Sequence, residues 1–340
     1  MTGAPVSSPT QRALTTVDVE GLVHASFGAD VGVTEGAPLS GGGFAAVWRV
    51  RLDDGRQVVL KVAPPPGIGL LRYEAGMIPA EAEYLRLVGA RAVDIPVARV
   101  LHCGSDPAVL DSDWLFTTFL PGTALPELNR SHADRDDTTV RRELGAVIAR
   151  LHTVTGPEFG YSGPRAHAPT WAAAFAAIVE DLLADADSWG VPLPWPAPRI
   201  RKLVADNADV LDTVDRPALL HFDLWDGNVL ASPAEDGKAH LTGLVDGERY
   251  LFGDPLMDFV SPAIYRRIED EPGHPFLLGY AEAADRPLVL DGPARRRLAL
   301  YRLHLYLLMT VEMPSRAMTP DGSPRRRAML DGQLAELDRG

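Results

Sequence analysis

His221-Phe-Asp-Leu-Trp-Asp-Gly-Asn228, followed by Leu244-Val-Asp-Gly-Glu248, is the part of the chain from which the rest can be understood. It places an aspartate, an asparagine five positions later, and a second aspartate at the end of another apolar run. A carboxylate on a loop between two apolar strands can be held at a cleft mouth, aimed at a hydroxyl proton; Asp223 is that candidate base. An amide oxygen and a further carboxylate are hard ligands of the kind Mg²⁺ takes on phosphates, and Asn228 and Asp246 supply them. Each alone would pass for turn chemistry, since Asp, Asn and Gly populate turns. The spacing argues for a site. Asn228 is also one of only three asparagines, with Asn129 and Asn207. Asp226 and Glu248 lie close enough to compete as ligands and rank behind Asp246. His221 is read as shaping the loop by hydrogen bonds, and Trp225 as packing under it or, as the second reading, facing substrate.

Upstream, Val58-Val59-Leu60-Lys61-Val62 puts a lysine inside an apolar strand. The chain has three lysines (Lys61, Lys202 and Lys238) among 33 basic residues, so arginine serves wherever any cation would do. A buried ammonium without a partner is expensive. A nucleotide phosphate and a helix carboxylate would be its partners, as in the V-A-I-K pattern of kinases. Glu81 is the chosen carboxylate, with Glu83 and Glu74 as rivals. Ser40-Gly41-Gly42-Gly43 lies about 20 residues before Lys61, where a phosphate-covering loop belongs. Glycine lets backbone approach phosphate closely.

The bulk properties narrow the class. A net charge of −13 argues against nucleic acid, whose binders present basic surfaces, and is compatible with a cationic small substrate. Cys103 is the only cysteine, so neither an internal disulfide nor a cysteine zinc site is available. No apolar leader opens the sequence. Leu298–Val311 is too short and too polar to span a bilayer and reads as a buried helix. A cytoplasmic protein without membrane or nucleic-acid partners is expected on these points; a monomer or homodimer is expected as well, though none of them fixes the oligomeric state.

Residues 1–12 are polar and small, expected as a disordered lead-in. Val17–Phe27 reads as a helix capped by Thr15 or Thr16. Pro38–Val50 and Gln57–Val62 read as a hairpin around Asp53-Asp54-Gly55. Ala80–Val88 is helical; Asp94–His102 and Trp114–Phe119 are strand candidates. Helical periodicity then dominates, over Arg141–His152, Trp171–Trp189 and Ile200–Leu211. The expected fold class is α+β, with a small β-rich lobe over 13–119 and a larger helical lobe over 120–340.

These residues match the protein-kinase pattern H-R-D-x-x-x-x-N with its later magnesium aspartate, Phe222 standing in place of Arg. No A-P-E segment follows Asp246, which argues against a protein kinase. Taken together, Leu39–Val50, Leu60-Lys61-Val62, His221–Leu230 and Leu244–Phe259 resemble the aminoglycoside phosphotransferase family, the small-molecule branch of the protein-kinase-like two-lobe fold. The resemblance covers Leu39 to Phe259. It implies ATP as the phosphate donor, held by Lys61 and by a hinge at Thr117, Thr118, Phe119 and Leu120; GTP is equally admissible, because hinge contacts are backbone groups. It implies Asp223 as base, Asn228 and Asp246 on Mg²⁺, and Asp254 and Asp258 as braces. The acceptor would be a hydroxyl of a small polar molecule, first an aminoglycoside-like antibiotic, with resistance as its consequence. Asp223-Leu224-Trp225 with Gly227-Asn228 also resembles ketosamine kinases. A catalytically silent nucleotide-binding module is the reading from another class.

Overall fold

The computed structural model describes residues 8–39, 42–131, 136–318 and 324–339. The chain begins with α1 (Thr16–Phe27) and continues through β1 (Val33–Pro38), β2 (Ala46–Leu52), β3 (Gln57–Val62), α2 (Met77–Arg91), β4 (Val100–Gly104) and β5 (Trp114–Thr118). Then come β6 (Thr123–Ala124), α3 (Leu125–Ser131), α4 (Thr138–Leu151), β7 (Phe159–Tyr161), β8 (His167–Ala168) and α5 (Trp171–Ser188). These are followed by α6 (Ala197–Ala205), α7 (Ala208–Leu211), β9 (Ala218–Leu220), β10 (Val229–Pro233), β11 (Ala239–Leu244) and β12 (Leu251–Gly253). The chain ends with α8 (Pro275–Ala283), α9 (Gly292–Val311) and α10 (Pro324–Asp338). This is a β-rich first part and a mainly helical second part, the two-lobe α+β fold expected from the sequence.

The first lobe is a five-stranded antiparallel sheet in the order β1-β2-β3-β5-β4. Alternation along β3 turns Val58, Leu60 and Val62 toward α1, where they pack with Val19, Leu22, Trp48, Trp114 and Phe116. Thr15 caps α1 as one half of a capping box: its hydroxyl accepts the Asp18 N–H (3.2 Å) and Asp18 accepts the Thr15 N–H (2.7 Å). Several details differ from expectation: the first hairpin strand runs over Ala46–Leu52 rather than Pro38–Val50, and β4 over Val100–Gly104 rather than Asp94–His102. Strand β1 is an addition, because Val-Thr-Glu-Gly-Ala-Pro has no apolar alternation; it is an exposed edge strand whose stability comes from its ladder with β2. Residues 8–12, expected as a disordered lead-in, instead fold back onto the glycine-rich segment: Thr10 Oγ1 donates to the Gly43 carbonyl (2.8 Å) and Gln11 Nε2 to that of Gly42 (2.8 Å).

In the second lobe α9 is buried along most of its length, in keeping with the apolar run Leu298–Val311, and carries an internal ion pair between Arg302 and Glu269 (2.6 and 2.9 Å). Helices α4 and α8 lie in backbone contact. A Cβ on Gly145 would strike the Phe276 carbonyl, and one on Gly279 the Arg142 carbonyl, so glycine is what lets the two helices touch. Small sheets β11-β10-β6 and β8-β7-β12-β9 bracket the loops that carry the motif residues. Among the described residues no helix is long and apolar enough to cross a membrane.

Candidate active site

Because Val58, Leu60 and Val62 face α1, Lys61 must face the other way, toward α2. There its ammonium donates to Glu81 (2.6 Å) and to Asp246 (2.5 Å), and it is almost wholly buried. Burial opposes the charge, but Asp246 and Glu81 outweigh it and hold the Lys61 pKa above the ordinary lysine value. Of the three helix carboxylates weighed from sequence, Glu81 is therefore the one that meets Lys61. Glu74 instead accepts the Leu71 N–H (2.9 Å) and pairs with Arg316. Glu83 interacts with Tyr250.

Asp246 adopts a left-handed conformation (φ 62°, ψ 52°), which aspartate tolerates better than most residues. Gly247 follows directly because the Tyr84 ring of α2 lies where a Cβ would be. Glu81, Asp246 and Glu248 bring one carboxylate oxygen each within 4.8 Å of one another. Burial, then the charge of Asp246, pushes the Glu248 pKa up to about 8, and its Oε2 is buried without a hydrogen-bond partner among the described residues. Three clustered carboxylates with an orphaned oxygen fit a hard divalent cation such as Mg²⁺.

The Asp223 loop is held from below by Asp258, which is fully buried. Its carboxylate accepts the N–H groups of His221 (2.9 Å) and Phe222 (2.6 Å) and faces His152 Nε2 (3.0 Å). Phe222 is held at φ 66°, a strained value for an aromatic residue, beside the candidate base. His221 Nε2 donates to the Val245 carbonyl (3.1 Å), while Nδ1 accepts the Asp223 N–H (3.4 Å). One neutral tautomer satisfies both bonds, and burial lowers the His221 pKa, so this ring ties the two loops together without carrying charge. Asn228 donates its amide N–H to the Asp223 carbonyl (2.9 Å), which leaves its amide oxygen for the cleft. Burial raises the Asp223 pKa, opposed by Arg249, whose Nε lies 3.7 Å from Asp223 Oδ2.

A cleft of about 580 Å³ brings together Gly42, Gly43, Lys61, Asp223, Asn228 and Asp246, with Glu81 and Glu248. Ser40 and Gly41 lie outside the described residues. The four hinge positions do not line this cleft. Thr117 is buried in β5, and the N–H groups of Thr118 and Phe119 donate to the carbonyls of Arg99 (2.9 Å) and Gln57 (3.3 Å). Leu120 packs toward Gly243. Asp226, a rival ligand from sequence, is taken by a bidentate bond from Arg141 (3.1 and 3.0 Å). Trp225 lines the cleft at 41% exposure rather than packing under the loop, its indole resting on Gly227. Sequence reasoning missed Tyr84, Arg249 and Glu312. Nothing marks Arg249 among the chain's many arginines apart from its place three residues after Asp246.

The model of the phosphotransferase enzyme family matches residues 35–301. The chain belongs to this family. This phosphotransferase is 26% identical over 296 residues to an Enterococcus faecium protein provisionally named a ketoamine kinase, across 81% of the chain and 88% of the relative. A Thermobifida fusca structure provisionally named fructosamine-3-kinase superposes with a TM-score of 0.65 at 22% identity, over 95% of this chain and 99% of that one. A thermostable mutant of the aminoglycoside phosphotransferase APH(4)-Ia, in ternary complex with ADP and hygromycin B, gives 0.61 at 18% identity, over 95% and 98%. The phosphotransferase thus shares its two-lobe fold with kinases that act on small molecules.

Proposed function

We propose that this phosphotransferase moves the γ-phosphoryl group of ATP, with Mg²⁺, onto a hydroxyl of a small polar molecule. The observation that carries the reading is the meeting of Lys61, Glu81 and Asp246 in the cleft that Asp223 and Asn228 also line. When bound, the nucleotide supplies the phosphoryl group and the metal neutralises its oxygens. Asp246, Asn228 and Glu248 are the residues that would hold the metal. Lys61, already fixed by two carboxylates, would hold the nucleotide phosphates. Gly42 and Gly43 would cover them.

Asp223 orients the acceptor hydroxyl and takes its proton. The hydroxyl oxygen forms its bond to the γ-phosphorus as the bond from that phosphorus to the β-bridging oxygen breaks, and ADP leaves with the electron pair. Little covalent work falls to the protein, so a fixed Asp223 is the main requirement. Asp258, His221 and Ser261 provide that fixation through hydrogen bonds to the loop.

A ketosamine is the favoured acceptor. The reading draws on the Asp223-Leu224-Trp225 sequence, on the exposed Trp225 indole beside the base, and on the likeness to the Enterococcus faecium protein. An amine-rich aminoglycoside is the second reading. It draws on the net charge of −13. ADP release would be followed with Mg-ATP or Mg-GTP against ketosamines, aminoglycosides, amino sugars, macrolides and choline-like alcohols. Stimulation by ketosamines alone is expected; stimulation by aminoglycosides alone would replace the first reading with the second.

A further inference from the structure

Charge develops on the transferring phosphoryl group as it passes from donor to acceptor, and a fixed cation beside it is worth a large factor in rate. The catalytic loop supplies none: Leu224, Trp225, Asp226, Gly227 and Asn228 carry no positive charge. The cations that line the cleft are Lys61, Arg249, Arg316 and Arg326. Lys61 is engaged by Glu81 and Asp246. Arg316 pairs with Glu74, and Arg326 donates to the Met309 carbonyl (2.7 Å). Arg249 is different. Among the described residues it is the cation within ion-pair reach of Asp223, at 3.7 Å, too long for a hydrogen bond. Its Nε is buried and makes no hydrogen bond among the described residues. Glu312 holds the far end of the guanidinium (Nη2 to Oε2, 3.3 Å), and the group lies over the Tyr73 ring, 5.4 Å from its centre.

We propose that Arg249 is a catalytic residue whose guanidinium contacts the transferring phosphoryl group beside Asp223. The inference rests on the kinase reading above and names a residue that reading does not need. A side chain held by Glu312 and Tyr73 is organised before substrate arrives, so its charge acts without rearrangement. Arginine suits this role because it stays charged when buried and its planar fork can span two phosphoryl oxygens.

The test is calorimetry of ADP with Mg²⁺, with and without aluminium fluoride, which mimics a phosphoryl group in transfer. ADP alone reads nucleotide binding; the gain on adding fluoride reads the contact proposed here. The wild type should bind ADP at least about 10-fold tighter with fluoride, as transition-state mimics do. Arg249→Ala should keep its ADP affinity within about 3-fold of wild type and lose the fluoride gain. Glu312→Gln, which leaves the guanidinium in place but loosens it, should lose part of the gain. Added guanidinium ion should restore part of it to Arg249→Ala, which no scaffolding role predicts. Absence of any gain in the wild type, a full gain in Arg249→Ala, or loss of ADP binding together with the gain would each overturn the proposal. A wild type that does not bind ADP would overturn the kinase reading itself, and this inference with it.

Discussion

On the Lys61 side of the cleft, three carboxylates (Glu81, Asp246 and Glu248) crowd around one ammonium. On the Arg249 side, two guanidiniums (Arg249 and Arg316) are matched by two carboxylates (Glu312 and Glu74). The first side is short of positive charge, and burial makes the shortage felt: Glu248 is pushed toward its neutral form. The second is balanced within itself, with Tyr73 OH reaching both Glu312 (3.3 Å) and Glu74 (3.4 Å). A buried excess of negative charge is costly unless something cationic joins it. A balanced array costs less and serves better as a rigid wall. One wall is therefore suited to receive a divalent ion, and the other to hold fixed charges near Asp223.

The largest effect is expected on the metal side. Asp246→Asn removes the carboxylate shared by Lys61 and the acidic cluster. Magnesium-dependent turnover should fall by about 10³ or more, since the metal's charge stabilisation is worth several kcal/mol. A magnesium titration with an unaltered midpoint and rate would move the metal away from Asp246. Glu248→Gln should act in the same direction but less strongly, raising the half-saturating Mg²⁺ concentration about 10-fold, in line with the loss of a supporting ligand group. An unchanged midpoint would leave Glu248 as a wall residue.

On the balanced side the expected effect is smaller and falls on stability. His304 lies beneath it, fully buried against Phe222, with neither ring nitrogen hydrogen-bonded among the described residues. Burial, aided by the charge of Arg249, lowers its pKa to about 3. The unfolded chain therefore takes up this proton first, and the stability tied to a neutral His304 is full above pH 6.5 and lost progressively as pH falls toward 3. Between pH 7 and pH 5 the loss should be about 2 kcal/mol. Urea melts at the two pH values should show a difference that shrinks by this amount in His304→Leu. An equal difference in both proteins would mean that His304 does not titrate as its surroundings require.

The two sides are also unequally legible in the sequence. Lys61 and Asn228 can be found because lysine and asparagine are rare in this chain, and Asp223 and Asp246 because they stand at fixed spacings from Asn228 beside apolar runs. That a carboxylate from the next helix meets Lys61 can be foreseen, because a buried lysine on a strand needs one; that it is Glu81 rather than Glu83 or Glu74 is settled only by the fold. Arg249 and Glu312 cannot be found, since arginine and glutamate are common here and the pair is joined only by folding across 63 positions. The lead-in at residues 8–12 misleads for a related reason. Its composition is that of a mobile segment, yet Thr10 and Gln11 bind backbone carbonyls of Gly43 and Gly42, and composition says nothing about such bonds. The hinge is carried by family resemblance alone, and its backbone donors at Thr118 and Phe119 are spent on Arg99 and Gln57. The edge strand β1 escapes notice because exposed strands need no apolar alternation.

The decisive experiment compares wild type with Asp223→Ala for phosphate transfer to whichever acceptor stimulates ADP release, detected on the product by phosphorus NMR, alongside ADP affinity. The expected result is a phosphate ester on an acceptor hydroxyl, turnover lower by about 10²–10⁴ in the variant, and ADP affinity within a few-fold of wild type. Near-normal transfer by Asp223→Ala would contradict the assignment of Asp223 as the base.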